Sequence, residues 1–123
     1  MSTKGLIGVK TKEGWKVVSN HWDSYPECLG KTLYENYITQ EEVEELVNLG
    51  DLETVDATID DTVAYGRDFG ESDTSPEVCK SLKDVYEVAG EAYADFVYLF
   101  DEGKWEAYEV ADDLVLIKDQ WWI

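Results

Sequence analysis

The chain has 123 residues, with 28 Asp and Glu against 10 Lys and Arg, a formal net charge of −18 and a pI near 4.1. That length fits one acidic domain, residues 1–123, and 44% hydrophobic with 13% aromatic residues is enough to build a core, so the charge does not imply disorder. The charge argues against direct binding to DNA, RNA or anionic lipid, all of which require a positive surface, and no apolar run approaches the ~20 residues of a membrane span.

Met1-Ser2-Thr3-Lys4-Gly5 leads straight into a strand-like run without the pattern of a signal peptide. Cys28 and Cys79 lie far apart with no CxxC spacing. The expectation is a cytoplasmic protein with free thiols and no cofactor or metal.

Gly5-Leu6-Ile7-Gly8-Val9-Lys10 and Trp15-Lys16-Val17-Val18-Ser19-Asn20 read as the strands of a hairpin, joined by Thr11-Lys12-Glu13-Gly14. The next stretch, Asn20 to Gly30, gathers the only His, one Cys and one Pro. Ser24 suits a helix cap and Pro26 a first helical turn. Cys28, Leu29, Leu33, Tyr34, Tyr37 and Ile38 form a rough helical stripe, which predicts a helix to about Tyr37. Thr39-Gln40-Glu41-Glu42 is a T-x-x-E capping box; Val43, Leu46 and Val47 follow at helical spacing, and Gly50 ends that helix.

Asp51 to Asp61 is acidic and irregular, Thr62-Val63-Ala64-Tyr65 a short strand, and Gly66-Arg67-Asp68-Phe69-Gly70 a turn or functional loop whose Arg orders it through an internal ion pair, with an anion site as the alternative. Ser75-Pro76-Glu77 predicts the start of a third helix, with Val78, Leu82, Val85, Tyr86 and Ala89 on its buried face and Gly90 at its end. Phe96–Phe100, Lys104–Val110 and Leu114–Lys118 read as a meander, with Trp105 and Ala107 on one face and Glu106 and Tyr108 on the other. The pattern predicts an α+β fold, its antiparallel sheet built from the hairpin and the meander, with about three helices packed on it.

Four features bear on chemistry. The first is the tract from Thr32 to Gly66, which has no Lys or Arg but holds Glu41, Glu42, Glu44, Glu45, Asp51, Glu53, Asp56, Asp60 and Asp61. Glu41 and Glu45 repel at i, i+4, where a solvated helix normally pairs opposite signs. Carboxylates ~6 Å apart along a helix, set against duplex phosphates ~3.4 Å apart along each strand, can occupy the groove by which a protein grips nucleic acid. A merely solubilising surface, or a halophilic source, is the alternative.

The second is His21 with Asp23 and Cys28: a base, an orienting carboxylate and a nucleophile, or together a zinc site, on a small hydrolase or metal-dependent enzyme. The competing reading makes this stretch a structural knot in which Trp22 and Tyr25 pack and the polar groups satisfy loop N–H groups. The third is Ser2 as an N-terminal nucleophile once Met1 is removed. The fourth, Asp56-Ala57-Thr58-Ile59-Asp60-Asp61, lacks the calcium-loop pattern and reads as surface charge. Trp121-Trp122-Ile123 would serve a structural module that forms a homodimer through its C-terminal aromatics.

Met1-Ser2-Thr3-Lys4-Gly5, His21-Trp22-Asp23-Ser24-Tyr25-Pro26 with Gly30, Ala64-Tyr65-Gly66-Arg67-Asp68, and Tyr98-Leu99-Phe100 before Trp105-Glu106-Ala107-Tyr108 resemble a family of small uncharacterised proteins of phages, prophages and bacteria. The resemblance implies a mobile-element setting and brings no catalytic residues. Small acidic proteins in that setting resemble inhibitors of restriction or CRISPR enzymes. The expectation is therefore a non-enzymatic inhibitor in the host cytoplasm. Its acidic tract would meet a basic, nucleic-acid-binding host protein of the restriction or CRISPR nuclease class.

Overall fold

The computed structural model describes residues 3–123. Strands β1 (Gly5–Thr11) and β2 (Gly14–Asn20) form the expected antiparallel hairpin, with Gly5 opposite Asn20 and Thr11 opposite Gly14. The Thr11 hydroxyl closes the turn by donating to the Gly14 carbonyl at 2.9 Å and accepting from the Glu13 N–H at 3.2 Å. Alternation along the pleat sends Ile7, Val9 and Val18 to one face and Leu6 and Val17 to the other, and all of them are buried. A strand apolar on both sides must be covered on both sides.

The helices supply that cover. On the first face, a π-helical turn over Pro26–Gly30 runs into α1 (Lys31–Asn36), followed by α2 (Gln40–Asn48). Leu29, Leu33, Tyr37, Val43, Leu46 and Val47 from these segments pack on Ile7, Val9 and Val18. A fully buried Leu or Val stabilises the fold by about 1.5–3 kcal/mol relative to exposure. On the second face, α4 (Leu82–Glu91) buries Val85 and Ala89 against Leu6, Val17, Val97 and Leu99. A short helix, α3 (Tyr65–Phe69), lies between, and ends at Gly70 in the left-handed conformation. No helix among the described residues is long and apolar enough to cross a membrane.

The C-terminal meander forms as predicted: β6 (Phe96–Asp101), β7 (Lys104–Val110) and β8 (Leu114–Leu116) pair antiparallel. Trp105 and Ala107 share the buried face. The fold is α+β, but the sheet is mixed rather than antiparallel. β6 runs parallel to β1, with Gly5 opposite Phe96 and Val9 opposite Phe100. β3 (Leu52–Thr54) meets β2 in parallel where Asn20 faces Leu52, and β4 (Val63–Ala64) pairs antiparallel with β3. The long helix-bearing connection from β2 to β6 returns the chain in the direction of β1, and parallel neighbours need such crossovers. The strand order is β4-β3-β2-β1-β6-β7-β8, with β5 (Glu77–Cys79) beside β2.

β5 corrects the predicted third helix. Ser75-Pro76-Glu77 carries a helix-start signature, yet Glu77–Cys79 extends along Trp15–Val17, where β2 would otherwise expose unpaired backbone groups. The helix opens later, at Ser81, whose hydroxyl accepts from the Asp84 N–H at 3.2 Å. The Asp84 carboxylate in turn accepts from the Lys80 N–H. Val78 and Leu82, predicted on the buried face, are therefore exposed.

Candidate partner-binding surface

The capping box at the start of α2 forms residue for residue. The Thr39 hydroxyl accepts from the Glu42 N–H at 3.2 Å. One Glu42 carboxylate oxygen accepts from the N–H groups of Ile38 and Thr39 and from the Thr39 hydroxyl, each at 3.1 Å. These bonds, that from Ile38 first, hold the Glu42 carboxyl below its ordinary range. Glu42 is therefore spent on the helix. Replacing Thr39 with Ala removes the hydroxyl partner of an end-of-helix N–H and should cost about 1 kcal/mol. The readout is a lower urea midpoint at unchanged slope; an unmoved midpoint would contradict the cap.

The remaining carboxylates of α2 face outward. Val43, Leu46 and Val47 fix the helix to the core, so Glu41, Glu44 and Glu45 ride on a rigid support and line, with Glu42, an open stretch of surface. Glu44 accepts from the Gln40 amide at 2.8 Å, and that amide also donates to the Lys10 carbonyl. Glu41 and Glu45 are exposed. The one ion pair among the described residues is Arg67–Asp68 at 2.9 Å, so no cation answers Glu41 or Glu45.

The loop after β3 continues this surface. Thr62, almost fully buried, is its hub: the hydroxyl accepts from the Asp56 N–H at 3.0 Å, donates to the Thr58 carbonyl at 2.9 Å and meets the Tyr37 hydroxyl at 3.3 Å. The Tyr37 hydroxyl donates to the Asp56 carbonyl at 2.7 Å. Burial first, then the charges of Asp56, Glu42 and Glu45, raise the Tyr37 pKa. Asp56 and Asp61, both exposed, accept locally from the Ala57 N–H and the Thr58 hydroxyl respectively. The expected Arg67–Asp68 ion pair forms, but residues 66–69 lie on α3 rather than in a turn, and from there the guanidinium also holds the carbonyls of Ile59 and Thr62. Asp60 acts on the same guanidinium.

Asp51 and Glu53 separate from this group. Asp51 accepts from the Ser19 N–H at 3.1 Å, filling the stretch of the β2 edge between β3 and β5. Both act on Tyr65, together with Glu71. The predicted site thus divides into a patch around α2 and the 56–61 loop and a second patch around Tyr65. The sequence offers Tyr37 only as a member of a helical stripe and Thr62 only as a strand residue, because a hydrogen bond between hydroxyls distant in sequence leaves no local signal.

The His21 stretch is tied down by Asn20, Ser24 and Tyr98 rather than by the residues of the expected knot. The Asn20 amide donates to the Trp22 carbonyl and to the Ser24 hydroxyl, both at 2.9 Å. The Ser24 N–H donates to the Thr3 carbonyl and the Tyr98 hydroxyl to the Ser24 carbonyl at 2.7 Å. Ser24 is wholly buried and does not cap the helix, which enters through Tyr25 with no side-chain cap. Trp22 and Tyr25, expected to pack, stand exposed.

His21 is held by its N–H on the Leu52 carbonyl and by edge-on contact with Trp22 at 4.7 Å; Asp23 is exposed in a left-handed turn. Burial, followed by Asp23 and Glu27, raises the Cys28 thiol pKa, the reverse of what a nucleophile needs. Both cysteines are free, and no metal-holding group of His, Cys, Asp and Glu is gathered among the described residues. Ser2 lies outside the described residues. Of the C-terminal aromatics, Trp122 belongs to the core, while Trp121 and Ile123 are exposed. Comparison with protein-family models, curated proteins and solved structures finds no match to this chain.

Proposed function

We propose that the chain is a non-enzymatic, stoichiometric inhibitor of phage type, and that its α2 surface occupies the nucleic-acid site of a basic host defence protein of the restriction or CRISPR nuclease class. The observation that carries the reading is the uncompensated pair Glu41 and Glu45 on a capped, core-anchored helix, with Glu44 beside them. Like charges at that spacing cost the free protein about 0.2–0.5 kcal/mol per pair. A basic partner removes that cost, because its Lys and Arg neutralise the carboxylates as they neutralise a phosphate backbone.

The test is inhibition of DNA cleavage by a panel of purified restriction and CRISPR nucleases, at low and high salt. Inhibition of a susceptible enzyme should weaken on the order of a hundredfold at low salt when Glu41, Glu44 and Glu45 are all changed to Lys. Lys at Glu106 and Glu109, on β7, should matter less. Inhibition indifferent to salt, or to the α2 reversal, defeats the mimic reading.

A further inference from the structure

Two aromatic pairs remote in sequence form one row. Trp22 lies edge-on to His21 at 4.7 Å, His21 edge-on to Tyr65 at 6.4 Å, and Tyr65 tilted against Phe69 at 6.0 Å. The β3 strand brings them together: His21 N–H bonds to the Leu52 carbonyl, Trp22 N–H to the Glu53 carbonyl, and Tyr65 N–H to the Asp51 carbonyl. The row is open, with Trp22 41% and Phe69 57% exposed. Its two ends are exposed and its two middle rings, His21 and Tyr65, half-buried, and exposed aromatics of this kind anchor interfaces.

Asp51, Glu53 and Glu71 adjoin the row through backbone bonds to Tyr65 and Trp22, and of their carboxylates that of Asp51 is held by the Ser19 N–H. Burial and then Glu53, Glu71 and Asp51 hold the Tyr65 hydroxyl above its ordinary pKa. No Lys or Arg among the described residues makes a cation–π contact with these rings. Arg67, the nearest in sequence, is engaged with Asp68, Ile59 and Thr62. Cation–π contacts among the described residues lie elsewhere, Lys4 on Tyr93 and Lys10 on Trp15.

We infer that this row is a second contact surface, which takes an extended arginine-bearing segment of a protein partner. Guanidinium planes stack on aromatic faces while their N–H forks reach carboxylates, a combination that a lysine ammonium does not match. Side chains on one face of an extended segment stand roughly 6.6–7 Å apart, close to the 6.4 and 6.0 Å steps of the row. An apolar segment would leave the carboxylates desolvated and unpaired, and nucleic acid is repelled by them. The inference rests on the proposed basic partner and adds where, and by which side chain, that partner is held.

The experiment is an NMR titration of the full chain with a nona-arginine peptide and, separately, a nona-lysine peptide, repeated on a Trp22→Ala/Phe69→Ala variant and on the α2 charge reversal. Nona-arginine should move the His21, Trp22, Tyr65 and Phe69 ring resonances and bind more tightly than nona-lysine. The double aromatic variant should lose about fivefold in affinity for nona-arginine at an unchanged melting temperature. Shifts confined to α2, with equal affinity for both peptides, overturn the row and leave the α2 proposal standing. Shifts on the row that ignore the α2 reversal support the row and count against α2. Failure of both peptides to bind overturns both.

Discussion

Gly50→Ala is expected to destabilise the protein by about 2–5 kcal/mol, enough to depopulate the fold of a marginally stable domain. Gly50 follows the last turn of α2 with φ at +84°, and its N–H donates to the Val47 carbonyl at 3.0 Å. A Cβ there would sit 2.3 Å from the Thr74 carbonyl oxygen, a backbone atom that cannot rotate aside. That carbonyl is already fixed by the Asp51 N–H at 2.8 Å, so relief of the clash would break the entry to β3. Gly70 provides the comparison: it has φ at +68° but nothing within 4 Å of its Cβ position. Gly70→Ala should therefore cost only about 1 kcal/mol, the left-handed strain alone. Paired thermal and urea melts separate the two contributions. Equal losses for both variants would show that the Thr74 contact does not constrain Gly50.

Trp122→Ala should cost about 3–5 kcal/mol, whereas Trp121→Ala should stay within about 0.5 kcal/mol. Trp122 is 6% exposed and packs edge-on to Tyr34 at 5.6 Å, in the core cluster of α1 and α2. Its indole nitrogen lies over Gly30, where a Cβ would approach it to 2.9 Å. It plugs the floor of α1, where burial, then Glu106 and Tyr108, push the Tyr34 hydroxyl up to about 12. The indole N–H has no partner among the described residues, so Trp122→Phe should recover most of the loss. Trp121, at 59% exposure, gives up little on truncation. Sedimentation of the two Ala variants completes the test. A homodimer held by these aromatics would dissociate on loss of Trp121, whereas a core plug predicts no change in mass.

Local signals proved legible in this chain. The β1–β2 hairpin, the Thr39–Glu42 box with Val43, Leu46 and Val47 behind it, and the Trp105–Ala107 alternation each depend on residues within a few positions of one another. The misreadings share a physical origin. β3 and β5 are strands of 3 residues, too short for a period to declare itself, and exist because β2 has an edge to be covered. Ser75 and Pro76 satisfy the chemistry of a helix start and lose to that pairing. Ser24 has a capping side chain, yet Asn20 and Tyr98 claim its polar atoms first. At the candidate site, the carboxylates of α2 were readable as a group because one helix carries them. The row from Trp22 to Phe69 was not, since His21 and Tyr65 meet only after β3 is in place.

The parallel β1–β6 pair, at the centre of the sheet, has a kinetic consequence. Lys4 and Asp95, which flank it, are 91 positions apart in sequence. Such distant pairing must close a long loop before its contacts repay the entropy, so the chain combines fast local helices and hairpins with a slow, late central joint. Until β6 arrives, one side of β1 is a bare apolar strand, and a nascent or C-terminally shortened chain exposes it. The high negative charge then protects the molecule before it is finished: mutual repulsion keeps unfinished copies from pairing through β1 during the interval in which they are most prone to aggregate.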